Sequence, residues 1–218
     1  MKKFIAVAGN IGVGKSTLVE MISSRLDCQP FYEPVADNPY ISDFYKNMPA
    51  WSFQSQIFFL THRLRIHHEL LHVQGSVIQD RSIYEDAEVF ARNLYVQGNM
   101  ADRDYNTYRS LYLTLAETLT PPDLVIYLRA SVPTLLKRIA LRNREYEQSI
   151  APAYLENLNG LYNGWIDHFT LCPILTVPAD DLDFVAHPHH LDLIAAKVRE
   201  KLTGKEVVVF TKEEIPDD

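Results

Sequence analysis

Gly9-Asn10-Ile11-Gly12-Val13-Gly14-Lys15-Ser16 is the stretch on which the reading of this chain turns. An apolar run, Phe4–Ala8, leads into it, and a helical pattern, Lys15–Leu26, leads out. Strand, glycine-rich loop and helix is the context in which this spacing of Gly, Lys and Ser has a physical meaning. The glycines let the backbone curl tightly and turn its N–H groups inward, making a concave anion site. The following helix adds the positive end of its dipole at the same point. Lys15 supplies a mobile charge for β- and γ-phosphates, and Ser16 a hydroxyl for Mg²⁺. Gly9, Asn10, Gly12, Gly14 and Thr17 complete the expected ATP-binding loop. A glycine-rich turn alone would need neither the lysine nor the serine.

The bulk of the chain narrows the class. At 218 residues, one α/β domain over 1–204 and a short tail, 205–218, are expected. A net charge of −7 argues against a general nucleic-acid binder, which needs a basic face. A phosphate ligand is still allowed, because its positive charge can be local. Cys28 and Cys172 make no disulfide framework and suit a reducing cytoplasm. The first residues faintly resemble a signal peptide, but the apolar run is short and leads straight into the loop. No apolar run is long enough to span a membrane.

Outward from the loop, strand-like and helical patterns alternate. Strands are predicted at Gln29–Glu33, Val77–Asp80, Leu124–Leu128 and Ile174–Val177. Helices are predicted over Trp51–Leu71, about Glu85–Tyr95, Asp104–Thr118, Val132–Arg142, Pro152–Phe169 and Pro188–Leu202. Leu124–Leu128 is almost wholly apolar, as strands buried on both faces are. The alternation predicts an α/β, three-layer fold of the P-loop NTPase type. It has a parallel sheet of about five strands, helices on both faces and an arginine-rich lid. Ligands of such sheets sit at the carboxyl ends of the strands, so four parts of the chain should build one site.

Several residues at those ends could do chemistry. Asp80 closes a strand where such folds keep the carboxylate that holds Mg²⁺, although an Asp there would also cap the next helix. Arg81 beside it could hold a phosphate or a substrate oxygen. Glu33, set in an extended backbone by Pro34, could accept a proton from an attacking hydroxyl. Gln56 and Arg63 lie two helical turns apart with Phe59 between them; Asp86 and Phe90 share a face four apart. An amide, a guanidinium, a carboxylate and a ring suit a buried nucleobase, though an Arg–Asp pair beside a core Phe would have the same pattern. Arg138 and Arg142 share a helix face, with Arg144 just beyond, as a phosphate-gripping lid would require. His67, His68, His72, His187, His189 and His190 have no metal-site spacing and are expected to be solvated or capping.

As a set, these motifs resemble the deoxyribonucleoside kinase family over nearly the whole chain. Glu33-Pro34-Val35 is similar to the family's Glu-Pro-Val, whose Glu is the general base toward the 5′-hydroxyl. The resemblance implies that Tyr45 and Glu147 meet the sugar 3′-hydroxyl and that Gln56 reads the base edge, with Arg63, Asp86 and Phe90 around it. Asp80-Arg81-Ser82 resembles the motif whose Arg holds the 5′-oxygen and phosphate. Arg138 to Arg144 resembles the lid, and Asp183-Phe184 the loop against the adenine of ATP. Two positions depart: Asn38 stands where several animal members carry a Trp, and Ser55 replaces an aromatic residue beside Gln56. Asp37-Asn38-Pro39-Tyr40 is more similar to bacterial members that prefer deoxyadenosine. A homodimer and Mg²⁺ are implied as well.

The expected reaction is transfer of the γ-phosphoryl group of ATP to the 5′-hydroxyl of a deoxyribonucleoside. Glu33, Arg81 and Lys15 would be catalytic. Deoxyadenosine is the first candidate substrate and thymidine a poor one, because Asp86 only accepts hydrogen bonds while thymine offers a carbonyl oxygen there. Two alternatives share the loop. A nucleoside monophosphate kinase would set Glu33 against its acceptor phosphate. A guanine-binding switch would carry an Asn-Lys-x-Asp signature, which this chain lacks.

Overall fold

A computed structural model describes residues 2–32 and 37–215, and only the backbone of Tyr146. Five strands form one sheet: β1 (Phe4–Gly9), β2 (Cys28–Phe31), β3 (Ser76–Asp80), β4 (Leu124–Arg129) and β5 (Ile174–Pro178). Their order is β2-β3-β1-β4-β5, and every pairing is parallel. β1 and β4 are buried along almost their whole length, which accounts for their unbroken apolar sequences.

Helix α1 (Lys15–Leu26) joins β1 to β2, and α2 (Ile41–Lys46) and α3 (Met48–His72) lead to β3. Between β3 and β4 come α4 (Ile83–Glu85), a π-helical segment (Asp86–Ala91), α5 (Arg92–Val96) and α6 (Asp102–Ala116). Then α7 (Val132–Arg142) and α8 (Pro152–His168) precede β5, and α9 (Pro188–Leu202) follows it. Parallel crossovers are right-handed, so the reversal of direction after β2 puts α1 on one face and α3 to α8 on the other, and α9 packs beside α1. The predicted α/β sandwich is present with the expected strands.

Differences from the expected boundaries have local causes. α3 starts at Met48 rather than Trp51, because Asn47 Oδ1 accepts the Ala50 N–H (3.3 Å) and Pro49 sits in the first turn. α2 is too short to show a periodic pattern. The helix expected near Glu85–Tyr95 widens into a π turn in its middle. Two histidines expected to be solvated are not: His67 and His190 are each 3 % exposed. The tail also packs, with Val208, Phe210 and Ile215 against the core and Lys197 paired to Glu214 at 2.5 Å.

The turn after β1 is tied to α7. Gly12 has φ +81°, and a Cβ there would stand 2.6 Å from Ile139 Cγ1 and 3.0 Å from Leu135 O. Only glycine allows both that conformation and that approach.

Candidate active site

The loop Gly9–Ser16 leaves the carboxyl end of the central strand, and the ends of β3 and β4 flank it. A cleft of about 260 Å³ opens there. Gly12, Gly14, Lys15, Ser16 and Thr17 line it, together with Tyr45, Gln56, Arg81, Asp86, Phe90, Arg142, Arg144 and Glu147. Thirteen residues nominated from sequence, drawn from six parts of the chain, thus share one cavity. Ile11, Ile41, Phe44, Phe59 and Tyr154 add apolar and aromatic wall.

The loop end is polar and braced. Lys15 Nζ donates to Gly9 O (2.7 Å) and Asn10 O (3.1 Å). Ser16 Oγ donates to Asp80 Oδ2 (2.5 Å), and the other Asp80 oxygen is buried without a hydrogen-bond partner among the described residues. That hydroxyl and carboxylate at the foot of a phosphate loop fit a Mg²⁺ ion. Asn10 turns its side-chain amide inward, donating to Leu155 O (2.9 Å) and Asn159 Oδ1 (2.8 Å), while its Oδ1 accepts the Ile11 N–H of the loop (2.7 Å).

The other end suits a flat ring. Phe90 lies in the wall, and the Arg81 guanidinium carbon stands 4.0 Å from its ring centre. Gln56 is buried with its Oε1 unpartnered among the described residues. Arg63 is not in the wall. It lies behind, its Nε donating to Asp86 Oδ2 (2.8 Å) and its Nη1 to Asp80 O (3.1 Å), fixing both carboxylates' strand and helix ends. The π turn carries Asp86 and Phe90 on one side, and such turns recur at functional sites. Asn38 Nδ2 donates to Ser55 Oγ at 3.0 Å, so the two departures from the family pattern satisfy each other in a buried pair.

The lid arginines divide. Arg142 (Nε, 3.0 Å) and Arg144 (3.5 Å) flank the Glu147 carboxylate and line the cleft. Arg138 does not; its guanidinium donates to Val13 O and Ala179 O, both at 2.8 Å, and clamps the phosphate loop from behind. Asp183 caps a turn through the N–H groups of Ala186 (3.0 Å) and Val185 (3.1 Å), and the Ala186 bond leads in holding its carboxyl below the usual range. Phe184 is buried, its ring tip 3.4 Å from where a Gly14 Cβ would be. Glu33 lies outside the described residues.

Sequence reading missed Glu85 and Tyr162. Glu85 is fully buried beneath the loop, accepting from Gly9 N (3.3 Å) and the Tyr162 hydroxyl. Gly9 and Tyr162 lie far from it in the chain, so no local pattern marks those contacts.

The deoxynucleoside kinase family model matches residues 5–203. A deoxyadenosine/deoxycytidine kinase of Bacillus subtilis is 37% identical over 196 residues, covering 89% of this chain and 90% of that protein. A deoxyguanosine kinase of the same organism is 36% identical over 205 residues, covering 90% and 96%. The solved deoxyadenosine kinase of M. mycoides with bound dATP superposes with a TM-score of 0.80 at 34% identity, covering 90% of this chain and 99% of that one. The chain belongs to the deoxynucleoside kinase family and is an ATP-dependent phosphotransferase.

Proposed function

We propose that this enzyme phosphorylates the 5′-hydroxyl of deoxyadenosine by preference, with deoxycytidine and deoxyguanosine next and thymidine poor. The observation that carries the reading is one cleft joining Lys15, Ser16 and Thr17 to Gln56, Asp86 and Phe90, with Arg81 between. Gln56 offers a donor and an acceptor to adenine, and the Asp86 carboxylate accepts from an exocyclic amino group. A thymine carbonyl would face that carboxylate, leaving two acceptors unsatisfied at a cost of about 1–3 kcal/mol. Relatives named for deoxyadenosine support placing it first, and others are named for deoxyguanosine.

Lys15, Arg81, Arg142 and Arg144 neutralise charge on the transferring group; Arg138 and Asn10 hold the loop, and Asp183-Phe184 flanks the donor's adenine. Ser16 and Asp80 would hold Mg²⁺, which when bound shields the phosphate oxygens. Tyr45 and Glu147 take the sugar 3′-hydroxyl. Glu33 accepts the 5′-hydroxyl proton. Positioning and electrostatics supply most of the catalysis, as in phosphoryl transfer generally. The enzyme acts in the cytoplasm as a homodimer.

Purified enzyme assayed with ATP, Mg²⁺ and each of the four deoxynucleosides should give its highest kcat/KM with deoxyadenosine; thymidine in first place overturns the base assignment. Glu33→Gln should lower kcat by roughly 10²–10⁴-fold while nucleoside binding persists. Near-normal turnover would remove Glu33 from its role.

A further inference from the structure

Arg81 is held in an unusual way. Its φ is +65°, a left-handed conformation that a non-glycine residue with a long side chain rarely adopts. Such backbone persists only where the surroundings over-determine it, and it clusters at working sites. Its amide donates to Val7 O (2.9 Å), which locks the residue to the central strand. One side of the guanidinium is covered by the Phe90 ring. Glu85 lies within ion-pair distance of it, Arg81 Nε standing 3.7 Å from Glu85 Oε1.

Glu85 is 0 % exposed, and a carboxylate is rarely buried without a partner that needs it. Its Oε1 also accepts from the Gly9 N–H at 3.3 Å and from the Tyr162 hydroxyl. That hydroxyl has one proton and lies 2.8 Å from Gly9 O as well, the same carbonyl that receives Lys15 Nζ. Burial pushes the Glu85 carboxyl up, while Arg81, Lys15 and Tyr162 pull it down and the neighbouring Asp86 opposes them. The carboxyl is therefore the junction between an arginine on the acceptor side of the cleft and the first peptide of the phosphate loop.

We infer that Glu85, braced by Tyr162, is a positioning residue that sets the Arg81 guanidinium in register with the phosphate loop for phosphoryl transfer. This rests on the role proposed above for Arg81. Without the Glu85 carboxyl the guanidinium keeps its backbone lock and ring but loses the group beside its Nε. Small misplacements of a charge-stabilising group act on turnover more than on ground-state binding.

The test is a double-mutant cycle on the full chain. Glu85→Gln should lower kcat by roughly 10- to 100-fold with both KM values changed less than about threefold. Glu85→Asp should recover part of the loss. In an Arg81→Ala background Glu85→Gln should cost nothing further, because the group it positions is gone. A loss of equal factor in both backgrounds, or one confined to KM, overturns the inference while leaving Arg81 in place. An Arg81→Ala enzyme with normal turnover removes the assigned role of Arg81 and this inference together. Should Glu85→Gln fail to fold, Tyr162→Phe, which removes a single oxygen, goes through the same cycle with a kcat loss of roughly 3- to 10-fold expected in the Arg81 background only.

Discussion

At the scale of single residues, burial decides behaviour that sequence leaves open. His67 lies on the buried face of α3 with its ring edge-on to Phe4 at 5.7 Å, and its Nε2 has no hydrogen-bond partner among the described residues. Burial, then the charge of His68, lowers its pKa from 6.5 to about 4. The unfolded chain therefore binds a proton more readily between those values. Stability from this residue is fully present above about pH 6.5 and is lost as pH falls toward 4. The slope is at most about 1.4 kcal/mol per pH unit, and the loss between pH 6.5 and 5 is roughly 1.5 kcal/mol. Urea unfolding at those two pH values should show the loss in the wild type and a smaller one in His67→Leu. An unchanged difference would place the pH dependence elsewhere. His67 and His68 are adjacent in sequence, and only the inward turn of one separates their fates.

At the scale of elements, α7 does two jobs with one basic face. Arg138 and Arg142 are four apart, a spacing that predicts a pair aimed at one ligand. In the fold the first reaches Val13 O and Ala179 O, and the second reaches Glu147 at the cleft. The helix lies so close on the loop that Ile139 fills the space beside Gly12. Arg138, one residue earlier, is thus trapped against backbone carbonyls. Removing it leaves buried acceptors unsatisfied, so Arg138→Ala should cost about 1.5–3 kcal/mol of stability per lost bond, measured by denaturant unfolding, and should raise the KM for ATP. Arg144→Ala should leave the unfolding free energy within about 0.5 kcal/mol, Arg142→Ala should cost about 1–3 kcal/mol because it takes two charged hydrogen bonds from the buried Glu147 carboxylate, and both should lower kcat roughly 10²-fold or more. The reverse pattern would return Arg138 to the lid.

At the scale of the whole molecule, α6 presents Leu111, 43 % exposed, among Asn106, Thr107, Ser110 and Thr114 in a shallow depression. Small side chains around an apolar one let another helix approach, which suits the proposed homodimer. Light scattering should give about twice the chain mass of 25.1 kDa, and Leu111→Glu should return it to about one. A monomeric wild type ends that proposal. No helix among the described residues is long and apolar enough to cross a membrane.

Much of this architecture could be read in advance, and the reason is locality. The phosphate loop, the apolar strands and the helical periods are patterns within a few residues, and backbone geometry enforces them wherever the chain goes. The cleft followed from them, because parallel strands bring their carboxyl ends to one rim. Contacts between distant segments left no such trace. Glu85 beneath Gly9 and Tyr162, Asn38 against Ser55 and the buried ring of His67 depend on which side chains meet when the layers close. Charge and hydrogen-bond energies depend on exposure and on distances of a few ångströms, and packing sets both.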